Sequence, residues 1–176
     1  ALDGRDKMKP EVLAPVGSEE MLTAAVRAGA DAVYLGLNEF NARRNAQNFT
    51  LDTLGEAVKY CHIRGVKVYL TLNTLIFDEE LRDALALCQD AYKAGIDAVI
   101  VQDLGLAALI KKSMPKLPLH ASTQLSVHTP EGAKALESFG FKRVVLSREL
   151  SKAEIKEIAE ATDIELEVFV HGALCM

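Results

Sequence analysis

Amphipathic stretches with apolar positions at helical spacing alternate along the chain with short, β-branched apolar runs, and the junction between the two repeats. It reads Ala28-Gly-Ala-Asp-Ala-Val-Tyr-Leu-Gly36, Arg64-Gly-Val-Lys-Val-Tyr-Leu-Thr-Leu72, Ala94-Gly-Ile-Asp-Ala-Val-Ile-Val-Gln102 and Phe139-Gly-Phe-Lys-Arg-Val-Val-Leu-Ser147. In each, a helix is expected to end at the glycine, which takes a left-handed conformation without a Cβ penalty, and a strand follows. Helix starts are marked by Ser18, Thr50, Asp78, Thr129 with Pro130 at the first helical position, and Ser151 with Glu154 as a capping box. The pattern predicts strands near 11–14, 32–36, 66–72, 98–102, 118–122, 143–147 and 165–170. It predicts helices near 19–28, 51–64, 79–94, 105–113, 130–138 and 152–161.

Strict alternation of this kind implies an α/β protein with parallel strands joined by right-handed crossovers, either a (β/α)8 barrel or an open doubly wound sheet. A dinucleotide fold is disfavoured: Gly17 stands alone in Pro15-Val-Gly-Ser18, and Glu19 and Glu20 would repel phosphate from the helix start. A flavodoxin-like sheet stops at about five strands, whereas seven strands and six helices are counted here. The expected fold is therefore an incomplete TIM-barrel-like (β/α)8 domain, about seven strands of one that ordinarily needs ~250 residues.

Strand parity then assigns the lumen. If Val68, Leu70 and Leu72 face the helices, Tyr69, Thr71 and Asn73 face inward. Leu119 and Ala121 likewise send His120, Ser122 and Gln124 inward, and Leu166, Val168 and Val170 send Glu165, Glu167, Phe169 and His171 inward. Tyr34 and Gln102 join them. Low in the barrel such groups equally suit a self-satisfied hydrogen-bonded core, for example Glu167 with His120. At the strand C-termini, where barrel active sites form, Asn73, Gln102, Ser122, Gln124, Arg148 and His171 are candidates for function.

Composition narrows the class. Of 176 residues, 49% are hydrophobic and 26% charged, which excludes a disordered or collagen-like chain. Twenty Lys and Arg against 25 Asp and Glu give a net charge of −5, without the basic surplus typical of nucleic-acid-binding domains, so any RNA contact is local or supplied by other sequence. No apolar run approaches the ~18–20 residues of a membrane span and no secretory leader is recognisable, so a cytoplasmic location without membrane contact is expected. Residues 1–8 read as a cloning remnant or disordered start, with Met8 as the natural first residue and the barrel domain over residues 9–176.

Two further features carry chemistry. The segment from Leu37 to Phe49 is longer than an ordinary βα connection, and sets Arg43 and Arg44 among Asn41, Asn45, Gln47 and Asn48, a donor-rich group suited to carboxylate or phosphate. A solvated loop pinned by Phe40 and Phe49 is the plain alternative. Among three cysteines, Cys61 and Cys88 fall in predicted helices as buried thiols, whereas Cys175 follows His171 on the rim of the last strand. Cys175 with His171 would be a nucleophile and its base.

Taken together, Glu11-Val-Leu-Ala-Pro-Val-Gly-Ser18, the Ala28–Gly36 junction, Leu72-Asn-Thr-Leu75, Val101-Gln-Asp-Leu-Gly105, His120-Ala-Ser-Thr-Gln124, Leu146-Ser-Arg-Glu-Leu150 and Glu167-Val-Phe-Val-His-Gly-Ala-Leu-Cys175 resemble the bacterial peptidase U32 family, also called collagenase-like, from residue 9 onward. The resemblance implies a TIM-barrel-like N-terminal domain, and Cys175 as the first of four cysteines that hold a [4Fe–4S] cluster in several members. The other three would lie beyond Met176, so the chain alone is expected to bind no cluster, while the full-length parent would carry one. Family functions implied are prephenate-dependent hydroxylation of RNA bases, on 23S rRNA cytidine or the tRNA wobble uridine, oxygen-independent ubiquinone hydroxylation, and proteolysis. The expected function is that of the RNA-hydroxylating branch, with RNA or a small dicarboxylate such as prephenate as partner and with Arg43, Arg44 and Arg148 as the neutralising cations. His171, Glu167, Asn73 and Gln124 are the catalytic candidates, and Arg43, Arg44, Asn41, Gln102, Ser122 and Arg148 the substrate-binding ones. The fragment itself is expected to be inactive. Neither a HExxH nor a nucleophile-elbow motif supports proteolysis. Unpaired edges at the first and last strands are a further expected route to self-association.

Overall fold

A computed structural model describes residues 9–40 and 49–171. Seven strands, β1 (Leu13–Pro15), β2 (Ala32–Gly36), β3 (Lys67–Leu72), β4 (Ala98–Val101), β5 (Leu119–Ala121), β6 (Arg143–Val145) and β7 (Glu165–Glu167), form one parallel sheet in sequential order. Helices α1 (Glu19–Arg27), α2 (Leu51–His62), α3 (Leu81–Ala94), α4 (Leu104–Ser113), α5 (Pro130–Phe139) and α6 (Lys152–Ala161) connect them, with a short 3₁₀ turn at Thr123–Leu125. The sheet is strongly curved. Glu11, just before β1, forms a 2.7 Å ion pair with Arg143 of β6, although five interstrand spacings would separate those strands by about 24 Å in a flat sheet. The result is a partial barrel of seven strands with six helices on its outer side.

Local chemistry explains the elements. Ser18, Thr50, Thr129 and Ser151 accept hydrogen bonds from the first turns of α1, α2, α5 and α6, and Ser151 with Glu154 closes the expected capping box. Asp78 does not cap α3. That helix starts later, at Leu81, because the Glu80 carboxylate turns back to accept from the Phe77 amide and so closes a separate turn first. Asp103 caps α4 through the Leu106 amide, 2.8 Å away. Gly29, Gly65, Gly95 and Gly140 all have positive φ, so the repeated helix-to-strand junction is a left-handed turn four times over.

The aspartates of two junctions have their own task. Asp31 accepts from the Val12 amide and Asp97 from the Val68 amide, while their own amides donate to the carbonyls of the same two residues. Each Gly-x-Asp-Ala repeat therefore brackets the start of the preceding strand and sets its register.

Parity holds as expected. Val68, Leu70, Leu72, Leu119 and Ala121 belong to the large core between sheet and helices, whereas Ala32, Tyr69, Ala98 and Ile100 form a small separate cluster on the lumen side. Strands β4, β6 and β7 end earlier than the sequence suggests. Val168 and Val170, expected to pack on the helices, lie beyond β7 and outside the core, 44% and 95% exposed. Among the described residues no helix is long and apolar enough to cross a membrane.

Candidate active site in the barrel lumen

The lower lumen is closed by a charged network built around Arg143, the first residue of β6. Its guanidinium, 11% exposed, donates to Glu11 at 2.7 Å and to Glu165 at 2.9 and 2.7 Å, and approaches Glu167 at 3.5 Å. Lys67 and the Tyr69 hydroxyl also donate to Glu11, at 3.0 and 2.8 Å. Arg143 lies over the Tyr69 ring, and Tyr69 meets the His120 ring edge-on at a centroid distance of 4.8 Å. Burial opposes ionisation of Glu11, but the hydrogen bonds from Arg143, Lys67 and Tyr69 outweigh it and draw its carboxyl down to about 2. Burial, reinforced by the Arg143 charge, draws the His120 imidazole down to about 3, so the ring is neutral.

The self-satisfied core weighed for the lower strands is therefore real, with different partners from those expected. Glu167 faces Arg143 and not His120. Arg143, Glu11 and Lys67 were not among the predicted site residues, although Glu11 shares the inward parity of Leu13.

His120 Nδ1, Gln124 Oε1, Arg148 Nε and Glu167 Oε2 are buried without a hydrogen-bond partner among the described residues, although Glu167 Oε2 keeps the 3.5 Å ion pair with Arg143 and the His120 ring packs on Tyr69. Burial pushes the Glu167 carboxyl up, partly opposed by Arg143. Arg148, in the β6–α6 connection, lays its guanidinium on the Phe169 ring at 3.8 Å. It also lines an open cleft of about 420 Å³ with Thr123, Ser126, His128 and Ser147. Ser126 has φ 54°, a conformation that non-glycine residues adopt rarely.

The other predicted residues sort as follows. Ser122 is buried and caps the 3₁₀ turn through the Gln124 amide. Gln102 and Asn73 are half-buried just past β4 and β3, and His171 is exposed at the end of the described chain. Asn41, Arg43, Arg44 and Cys175 lie outside the described residues. Cys61 and Cys88 are buried against the helix side of the sheet, where desolvation pushes their thiols up to about 11 and about 12. Thiols so placed, far from ready ionisation, do not fit as ligands of an iron–sulfur cluster. Among the described residues no three His, Cys, Asp or Glu side chains are grouped to hold a metal ion.

Known proteins resemble this chain along nearly all its length. The profile of peptidase family U32 matches residues 17–176. The chain is 45% identical over 166 residues to a 23S rRNA 5-hydroxycytidine synthase of Escherichia coli, covering 94% of this chain and 25% of that protein. It is 41% identical to tRNA hydroxylation protein P1 of Bacillus subtilis, covering 96% of this chain and 40% of that protein. A collagenase of Porphyromonas gingivalis is 39% identical, over 94% of this chain and 42% of its own length. The chain thus spans between a quarter and about two-fifths of these relatives. Among solved structures, the U32 peptidase Mk0906 superposes with a TM-score of 0.76 at 20% identity, over 94% of this chain and 70% of that one, which shows a shared fold.

Proposed function

Because the chain belongs to peptidase family U32, we propose that it is the N-terminal barrel portion of an RNA base hydroxylation enzyme that draws its oxygen from prephenate and acts on a cytidine of 23S rRNA. The observation that carries this reading is the 45% identity to the rRNA 5-hydroxycytidine synthase across 94% of the chain. A tRNA wobble uridine is the neighbouring substrate class, given the likeness to a tRNA hydroxylation protein.

The lumen suits such a task. Its lower layer is tied together by the hydrogen bonds of Arg143, Lys67 and Tyr69, so it serves as a rigid base. Beside it stand the neutral His120 imidazole, the Gln124 amide and the Arg148 guanidinium, each with a buried polar atom that has no hydrogen-bond partner among the described residues. In the full-length parent, Cys175 would be one of four thiolates around a [4Fe–4S] cluster, which would supply electron transfer. Arg43 and Arg44 would meet the dicarboxylate or an RNA phosphate.

The test is loss and return of the modified base. Cells lacking the full-length parent should lose 5-hydroxycytidine from 23S rRNA, measured by nuclease digestion and mass spectrometry, and regain it with the wild-type gene but not with Arg43→Ala. An undiminished base in the deletion strain would refute the proposal. The likeness to a collagenase favours proteolysis as the second reading; cleavage of gelatin or casein by the purified full-length protein, with the rRNA unchanged, would select it.

A further inference from the structure

Two connections past the strand C-termini enclose the open cleft of about 420 Å³. One wall is the β5–α5 connection, with Thr123 and Ser126; the other is the β6–α6 connection, with Ser147 and Arg148. The Ser147 amide donates to the Val127 carbonyl at 3.0 Å and stitches the two walls together. Ser126, at φ 54°, accepts through its carbonyl from His128 Nδ1 at 2.8 Å, which fixes that imidazole to the first wall. Arg148 is a cation with one face covered. Its guanidinium lies on the Phe169 ring at 3.8 Å, and its Nε is buried without a hydrogen-bond partner among the described residues. The two acids of the lining do not neutralise it. Glu154 accepts from the Ser151 amide at 2.7 Å to cap α6, and Glu149 makes no ion pair among the described residues.

Such a lining suits a ligand that accepts hydrogen bonds and carries one negative charge. Three hydroxyl residues and a guanidinium supply the donors, and one fixed cation matches one anionic charge. The two carboxylates set the upper limit. A dicarboxylate or a phosphate monoester brings close to two negative charges into a space that already holds Glu149 and Glu154, with Arg148 alone to offset them. A phosphodiester has a single charge and two free oxygens, and its chain continues on both sides, which an open cleft admits. The volume falls among those of clefts that take small organic ligands, and the position past β5 and β6 is on the face where barrel active sites form. Resting on the reading that the chain acts on RNA, we propose that this cleft holds an internucleotide phosphate of the substrate RNA. Arg148 is its cation, and Ser126 and Ser147 donate to its free oxygens. Arg148 thus serves the RNA backbone and not the dicarboxylate that is the other ligand expected for it.

The test is a nitrogen-15 NMR titration of this chain with the dinucleotide cytidylyl-cytidine and, separately, with malonate as the dicarboxylate, at equal ionic strength. It follows the Arg148 Nε–Hε signal and the backbone amides of Ser126 and Ser147. The dinucleotide should shift all three signals, and its affinity should fall with salt at a log–log slope of about −0.7, the value for one phosphate contact on a single strand. Arg148→Met should weaken it at least about tenfold and bring that slope close to zero. Ser126→Gly, which suits the left-handed backbone and so keeps the fold, should weaken it about threefold, and it decides should Arg148→Met not fold. Malonate binding as tightly as the dinucleotide, an unmoved Arg148 signal, or affinity unchanged in both variants would each overturn the proposal. An unchanged rRNA base in cells lacking the parent refutes the hydroxylation reading separately, and dinucleotide binding in the cleft would still stand. Loss of the base without dinucleotide binding would strike the cleft alone.

Discussion

Replacing Arg143 with methionine keeps the volume of the side chain and removes the one cation shared by three carboxylates. The magnitude can be worked from two sides. Glu11 and Glu167 are 22% and 18% exposed and Arg143 is 11% exposed, so its loss strands mostly buried charge, which costs about 3–5 kcal/mol. Glu165, at 63% exposed, adds little. Independently, moving the Glu11 carboxyl from 4.5 to about 2 corresponds to roughly 3 kcal/mol, trimmed to about 2 because that side chain keeps some contact with water. Glu11 also retains Lys67 and Tyr69 after the change, so the loss belongs at the low end, ~3 kcal/mol near pH 7.

The pH dependence supplies a signature that a simple packing defect lacks. The folded pKa of Glu11 is depressed, so its stabilising contribution is present above the ordinary value of 4.5 and is lost as pH falls toward about 2. In Arg143→Met that depression shrinks and the carboxylates protonate readily. The stability gap between wild type and variant should therefore narrow steadily as the pH is lowered from 5 to 3. Urea unfolding followed by circular dichroism at several pH values measures it, with Glu165→Gln as a control expected to lose less than about 0.5 kcal/mol. A gap below about 1 kcal/mol near pH 7, or one that stays constant down to pH 3, would show that Arg143 does not organise the floor.

Two other outcomes follow from the outer side of the sheet. Gly140→Ala places a Cβ at φ 110° and against the Lys111 ammonium, which donates to the Phe139 carbonyl; a loss of ~1 kcal/mol or more in the same urea assay is expected, and an unchanged midpoint would contradict the left-handed cap. Cys61 and Cys88 are 0% exposed, with thiols pushed up to about 11 and about 12, so neither should react with a disulfide reagent in the native protein and both should in denaturant. Rapid labelling of either without unfolding would refute their burial.

The repeated glycine junction made the barrel architecture legible, because each glycine states a helix end and the β-branched run after it states a strand. Parity along β3 and β5 then separated lumen from core, since burial on both faces still leaves alternate residues with different neighbours. The charge network was not legible in the same way. Glu11 and Arg143 lie 132 positions apart, and only the curvature of the sheet brings them together. Lys142-Arg143 at the start of a strand reads as solvated charge until one sees that Lys142 is exposed while Arg143, one residue on, turns inward. The aspartates of the junctions were quoted in the repeat, yet their bracket to the neighbouring strand is a long-range contact that local pattern does not contain.

The same curvature accounts for why polar residues along one barrel axis divide into two kinds. Near the strand starts the inward side chains meet across the lumen, and Glu11, Glu165 and Glu167 gather around Arg143, with Lys67 also on Glu11. Past the strand ends, Gln124 after β5 and Arg148 after β6 each keep a buried polar atom without a hydrogen-bond partner among the described residues. A fold that spends a buried guanidinium on its floor leaves Gln124 Oε1 and Arg148 Nε, past the strand ends, without one among the described residues. Substitutions in the lower layer should then register in unfolding free energy with ligand affinity following it. A substitution that removes the Gln124 amide should leave the unfolding free energy unchanged or raised, because removing an unsatisfied buried group relieves a cost.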